Sequence, residues 1–141
     1  MKSPIYPSLW FDGNAKEAAE FYCSVFKGGK VTFESPMVVF WEVNGTKFMG
    51  LNGGPNFKFN EAVSFVVESE TQEEIDFLWE SLTANGGQES MCGWLKDKFG
   101  LSWQIVPTVI GELMSDPERA PRVMAAIMDM KKLDMQKLID A

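Results

Sequence analysis

The order of apolar and polar residues divides the chain into alternating stretches and stretches of helical period. "YPSLWFD" (6–12) alternates, setting Leu9 and Phe11 on one face and Tyr6, Ser8 and Trp10 on the other, as in a strand with one covered face. Asn14 then offers an N-cap, and Glu17 three residues later completes a capping box. Ala15, Ala18, Ala19, Tyr22, Cys23 and Phe26 share one side of the helix that follows, which "KGGK" (27–30) stops. "VTFES" (31–35) and "MVVFWEV" (37–43) read as strands, and Asn44-Gly45 predicts a tight type I′ hairpin into "TKFMGL" (46–51).

The same order then returns. "AVSFVVE" (62–68) predicts a strand, and "TQEEIDFLWESL" (71–82) a helix with Ile75, Leu78, Trp79 and Leu82 as its apolar stripe, ended by "ANGG" (84–87). "SMCGWL" (90–95) reads as a strand, "KDKFG" (96–100) as a turn, and "LSWQIV" (101–106) as a strand that Pro107 ends, with Trp103 facing the helix. A shift of 56 residues places Ser8 on Ser64, Asp12 on Glu68, Glu17 on Glu73 and Phe21 on Phe77, which suggests a duplicated unit.

The expectation is therefore a single α+β domain. Two βαβββ units, 1–52 and 61–107, form curled mixed sheets around a cleft, each with its helix on the outer face, and a helical tail follows over 108–141. In the tail, Asp116 is the expected N-cap, with Pro117 at the first helical position and Glu118 in the first turn. Val123, Met124, Ile127, Met128, Leu133, Met135 and Leu138 then form an apolar, methionine-rich stripe, suited either to covering the core or to a dimer contact.

Composition narrows the chemistry. At 141 residues the chain is the size of one ordinary domain, and its formal charge of −7 disfavours nucleic acid and anionic membrane surfaces as partners. The start, "MKSPIYPSLWF", lacks the apolar core of a signal peptide, and no apolar run reaches membrane-spanning length, so a cytoplasmic protein is expected. Cys23 and Cys92 have no CxxC spacing and are expected as reduced thiols. There is no histidine, which removes Ser-His-Asp, Cys-His and His-metal mechanisms together.

"LWFDGNAKEAAEFY" (9–22), "LNGGPNFKFNEAVSF" (51–65), "EEIDFLWESL" (73–82) and above all "CGWLKDKFGLSWQIVP" (92–107) resemble the PhnB-like branch of the vicinal oxygen chelate superfamily. That branch is also labelled 3-demethylubiquinone-9 3-methyltransferase-like, and its superfamily includes glyoxalase I, bleomycin-resistance proteins and extradiol dioxygenases. The resemblance covers essentially the whole chain and implies the two-unit fold. For the superfamily's enzymes it also implies a divalent metal held by His, Gln or Glu at four inner-facing strand positions. Carried onto this sequence, those positions fall at Tyr6, Met49, Ala62 and Gln104, or one residue away at Pro7, Gly50 or Glu61. Only Gln104 is a respectable donor among the four, so neither a metal nor another cofactor is expected. The methyltransferase label finds no support in a phosphate or nucleoside loop, since "LNGGP" (51–55) lacks GxGxxG spacing and a following helix.

What remains is a small-molecule pocket of aromatic and weakly polar character. Its expected ligand-binding residues are Tyr6, Ser8, Trp10, Met49, Ser64, Trp94, Ser102 and Gln104, with Ala62 beside them. Trp10 suits either a stacking platform or a plug in a dimer interface. Cys92 is the one candidate nucleophile, with Lys96 and Lys98 near in sequence, against the competing reading of an inert buried thiol. Asp97 is either a base or the side-chain anchor of its own turn. The expected function is a homodimeric protein that binds a hydrophobic or aromatic molecule without metal. The alternatives are an enzyme, whether a metal-dependent lyase or dioxygenase or a cysteine-assisted activity at Cys92, and a purely structural protein working through its tail.

Overall fold

Leu9 and Phe11 are buried in the first strand while Ser8 is exposed and Trp10 half-buried, as alternation requires. These and all later positions are taken from a computed structural model, which describes residues 3–141. The chain divides into two compact units, one through Phe59 and one from Asn60 to Ala141.

The first unit runs β1 (Ser8–Phe11), α1 (Ala15–Val25), β2 (Lys30–Glu34), β3 (Val38–Val43) and β4 (Thr46–Asn52). Its sheet has the order β1-β4-β3-β2, with β1 parallel to β4 and the other pairs antiparallel. Asn44 and Gly45 both take positive φ, 49° and 80°, which is the type I′ turn that the dipeptide predicts. Small residues bring α1 close to the sheet: a Cβ on Gly50 would sit 2.9 Å from the Trp41 ring and 3.1 Å from Ala15 Cβ. Tyr22 stacks on Trp41 at 6.0 Å between centroids, and Trp41 on Phe48 at 5.6 Å, so an aromatic column fills the space beneath the helix.

Two details of α1 differ from expectation. Val25 completes the buried face, while Cys23 and Phe26 are only half-buried. The capping box does not form, because the Asn14 side chain makes no cap bond. Instead the Ala15 amide donates to Asn52 Oδ1 at 2.9 Å, and Asn52 Nδ2 donates to the Pro36 carbonyl at 3.0 Å. A residue from the end of β4 thus caps the helix and ties the loop before β3 to the same point.

The second unit repeats the plan with β5 (Ser64–Ser69), α2 (Gln72–Thr83), β6 (Gln88–Glu89), β7 (Trp94–Lys96) and β8 (Ser102–Pro107). The sheet order is β5-β8-β7-β6, with β5 parallel to β8. Thr71 Oγ1 accepts from the Glu74 amide, a local cap, and Ile75, Leu78, Trp79 and Leu82 are buried as the period predicts. β5 begins two residues later than expected, because Asn60 Oδ1 accepts from the Ala62 amide and draws Ala62 into a turn. The expected strand over 90–95 is also corrected: Ser90–Gly93 is a turn in which Cys92 and Gly93 have φ of 64° and 83°, and strand pairing is carried by β6 and β7 on either side.

Asp97 belongs to its turn. Only 2% exposed, it accepts from the Phe99 and Leu101 amides through Oδ1 and from Trp103 Nε1 through Oδ2 at 2.9 Å. The carboxylate therefore fixes both the turn and the strand that leaves it.

The tail comprises α3 (Ile110–Met114), α4 (Ala120–Met128) and α5 (Met135–Ile139). α4 starts later than the expected Pro117, because Asp116 Oδ1 accepts from the Glu118 amide and holds 116–119 as a turn. Leu113, Val123, Ile127, Leu133 and Leu138 form a buried cluster, whereas Met124 and Met128 face outward. Gln72 joins the tail to α2: its Oε1 accepts from the Met135 amide and its Nε2 donates to the Leu133 carbonyl and to Asp76. Lys132 pairs with Asp76 at 2.9 Å, and this bond, with that from Gln72, holds the Asp76 carboxyl below the usual range.

Two substitutions test these junctions by urea denaturation. Asn52→Ala, which removes the cap on α1 and the tie to Pro36, is expected to cost about 1–2 kcal/mol. Asp97→Ala strands three donors inside the second unit and is expected to cost about 3 kcal/mol or more. Losses near zero would show that water replaces these bonds.

Candidate functional site

Each unit spends one sheet face on its helix, and the residues of opposite parity point to the other face. In the first unit that second face carries Ser8 beside Met49, Met49 beside Phe40, and Phe40 beside Phe33 across the strands. Tyr6 meets Phe40 edge-on at 6.1 Å, and Lys47 Nζ lies 4.3 Å from the Tyr6 ring centroid and 4.8 Å from that of Phe40. The row is aromatic, with one cation resting on it.

Trp10 lies one step along the same face, and the loop after β4 holds it. Its Nε1 donates to the Gly54 carbonyl at 2.9 Å, Phe57 packs edge-on at 4.8 Å, and a Cβ on Gly53 would fall 2.3 Å from the ring. The glycines of "LNGGP" make room for an indole.

In the second unit Gln104 Nε2 donates to Ser64 Oγ at 2.9 Å, bridging β8 and β5. Trp94 stands opposite Gln104, and Ser102 stands opposite Lys96 on one side and Ser64 on the other. Four of the expected ligand-binding residues thus share one face. Beside them lies a cavity of about 210 Å³ whose walls include Glu61, Gln88, Ser90, Trp94, Lys96 and Ser102. Lys96 forms an ion pair with Glu61, and this hydrogen bond holds the exposed Glu61 carboxyl below the usual range. Ser102 is 1% exposed, and its Oγ has no hydrogen-bond partner among the described residues.

Sequence reasoning placed none of Lys96, Gln88 and Glu61 in this pocket: Lys96 entered only as a neighbour of Cys92, Glu61 only as an alternative metal position, and Gln88 not at all. The first could have been found, since it lies two residues from Trp94 on one strand and must share its face. Glu61 arrives from a turn, and nothing local announces it.

Cys92 is not on this face. It sits at a positive-φ turn, packs against the tail cluster, and donates its amide to the Met130 carbonyl, while Lys96 turns to Glu61. Cys23, the other thiol, is pushed up by burial and by the nearby Glu20.

The positions implied for a metal do not supply one. Ala62 has no donor and lies in a turn, Met49 offers a thioether, and Gln104 is bonded to Ser64. Among the described residues no three His, Cys, Asp or Glu side chains are grouped to hold an ion. The donor set does not fit a divalent cation.

Residues 3–106 match the family model described as 3-demethylubiquinone-9 3-methyltransferase. The chain belongs to this family. The structure is similar to that of a PhnB protein from Bacillus cereus assigned to the same family, with 31% identity, a TM-score of 0.68, and coverage of 75% of this chain and 100% of that one. A glyoxalase-related enzyme from Fulvimarina pelagi is 20% identical over 77% of this chain and 91% of its own, with a TM-score of 0.58. The fosfomycin resistance protein FosX from Listeria monocytogenes, solved with Mn(II) and sulfate, is 13% identical over 82% and 97%, with a TM-score of 0.60. These last two share the fold, an α+β plan of two four-stranded mixed sheets. No curated protein matches the sequence.

The Lys96–Glu61 pair has a direct spectroscopic consequence. In Lys96→Met the Glu61 carboxyl is expected to titrate at a higher pH than in the parent, back toward an ordinary glutamate, as read from its side-chain carbon resonance. An unchanged midpoint would mean that the pair does not persist in solution.

Proposed function

We propose that this protein binds a small hydrophobic or aromatic molecule without a metal, using the sheet faces turned away from α1 and α2. The residues that carry the reading are Tyr6, Ser8, Trp10 and Met49 in the first unit and Ser64, Trp94, Ser102 and Gln104 in the second. The observation that supports it most is the cavity beside Trp94, where an aromatic wall meets a few oriented polar groups. A metal-assisted mechanism would need donors at Tyr6, Met49, Ala62 and Gln104 that those side chains do not provide. The packing of the half-buried Cys92 against the tail cluster likewise favours a structural thiol over a nucleophile.

A homodimer accompanies this reading. β2 is an edge strand exposed along its whole length, with Phe33 54% and nearby Met37 59% exposed, and such apolar surface is best covered by a second copy. The two free cysteines, one in each unit, suit the reducing cytoplasm.

Thermal denaturation with added Zn²⁺, Ni²⁺, Mn²⁺ and Fe²⁺, together with metal analysis, tests the reading. The expected melting temperature is unchanged, because a site filled at a hundred times its Kd would stabilise by about 2.7 kcal/mol and be plainly visible. Neutral aromatic fragments are expected to shift the Trp94 indole and Gln104 side-chain resonances. Stoichiometric metal with a matching rise in melting temperature would overturn the metal-free reading.

A further inference from the structure

We propose that the cavity of the second unit takes an aromatic monocarboxylic acid, with Lys96 holding the carboxylate that Glu61 imitates when the site is free. The inference rests on the binding reading above and adds the ligand's charge.

The cation at this cavity is already answering a carboxylate. Lys96 lies on the same face as Trp94 and Ser102, and its ammonium is turned to Glu61, a residue of the 60–62 turn and not of the sheet. The Glu61 side chain is 60% exposed and pairs with Lys96. Water screens an exposed pair of this kind, so an incoming acid displaces Glu61 at little cost. A charge-assisted bond from Lys96 to a ligand inside the cavity is stronger than a screened surface pair, which favours the exchange.

Ser102 supplies the second point of attachment. Its hydroxyl is buried on the cavity wall, one strand from Lys96, with no partner among the described residues. A buried hydroxyl left unbonded is costly, and the carboxylate of a ligand satisfies it. Trp94 provides a flat apolar wall for a ring.

The charge of the ligand follows from the charges around it. One lysine meets Glu61 and Glu89 at this cavity, in a chain whose formal charge is −7. Glu89 is engaged by Trp79 Nε1 at 2.7 Å and so keeps its place in the wall. A single negative charge is balanced by Lys96, while a dianion such as a phosphate ester faces uncompensated repulsion.

The test uses the full chain and two probes of one shape, benzoate and benzamide, followed by NMR at the Trp94 indole and the Gln104 side chain. Benzoate is expected to bind more tightly than benzamide. Glu61→Gln is expected to strengthen benzoate binding roughly two- to fivefold, the value of the displaced surface pair, while Glu80→Gln on the solvent side of α2 leaves it unchanged. Lys96→Met is expected to weaken benzoate roughly ten- to a hundredfold and leave benzamide where it was. Equal binding of the two probes, or no response to Glu61→Gln, overturns the carboxylate assignment and leaves the aromatic-binding reading standing. No shift with either probe overturns both. Melting curves confirm that each variant is folded, and Glu61→Gln alone decides the matter if Lys96→Met is not.

Discussion

One helix must serve four strands in each unit, and a helix can hide only one face of a sheet. That constraint organises the rest of the molecule. In the first unit the hidden face takes Leu9, Phe11, Trp41 and Phe48, and in the second Leu95, Trp103 and Ile105. Much of the opposite parity is thereby released from core duty, Val106 against the tail cluster excepted, and residues such as Gln104, Ser64 and Lys96 can stand where a closed sandwich would demand valine or leucine.

Close approach and polar junctions make the arrangement specific. Alanines on α1 and Gly50 on β4 let the helix settle onto an aromatic column that bulkier residues would push away. Where chain segments meet, single side chains with several bonds do the fixing: Asn52 for the head of α1, Asp97 for the turn before β8, and Gln72 for the tail. Each satisfies backbone groups that would otherwise be left without partners, so these bonds secure one packing over its neighbours.

Much of this was legible in the chain because it is periodic. The stripe of α2, the alternation of β8 and the Asn44-Gly45 hairpin follow from spacing alone, and the family resemblance of residues 92–107 agrees with the fold. What was not legible is non-local or too short. β6 has two residues, which is no alternation at all. Asn14 had every local mark of a cap and lost the role to Asn52, 37 residues from the amide it serves. Cys92 in a left-handed conformation has no sequence signal, because few cysteines adopt it. At the candidate site, Gln104 and Trp94 were readable from strand parity, whereas the partner of Lys96 came from a turn across the sheet.

The anchoring of the tail also sets an order in time. All elements of the first unit precede residue 60, so it can complete its sheet while the rest of the chain is still being synthesised. The second cannot: Gln72 waits for Met135, the turn at Cys92 waits for Met130, and Leu113 waits for Leu138. A ribosome making this protein therefore holds one finished half and one open half until residues 130–138 have been made, and the open half displays its apolar strands throughout that interval.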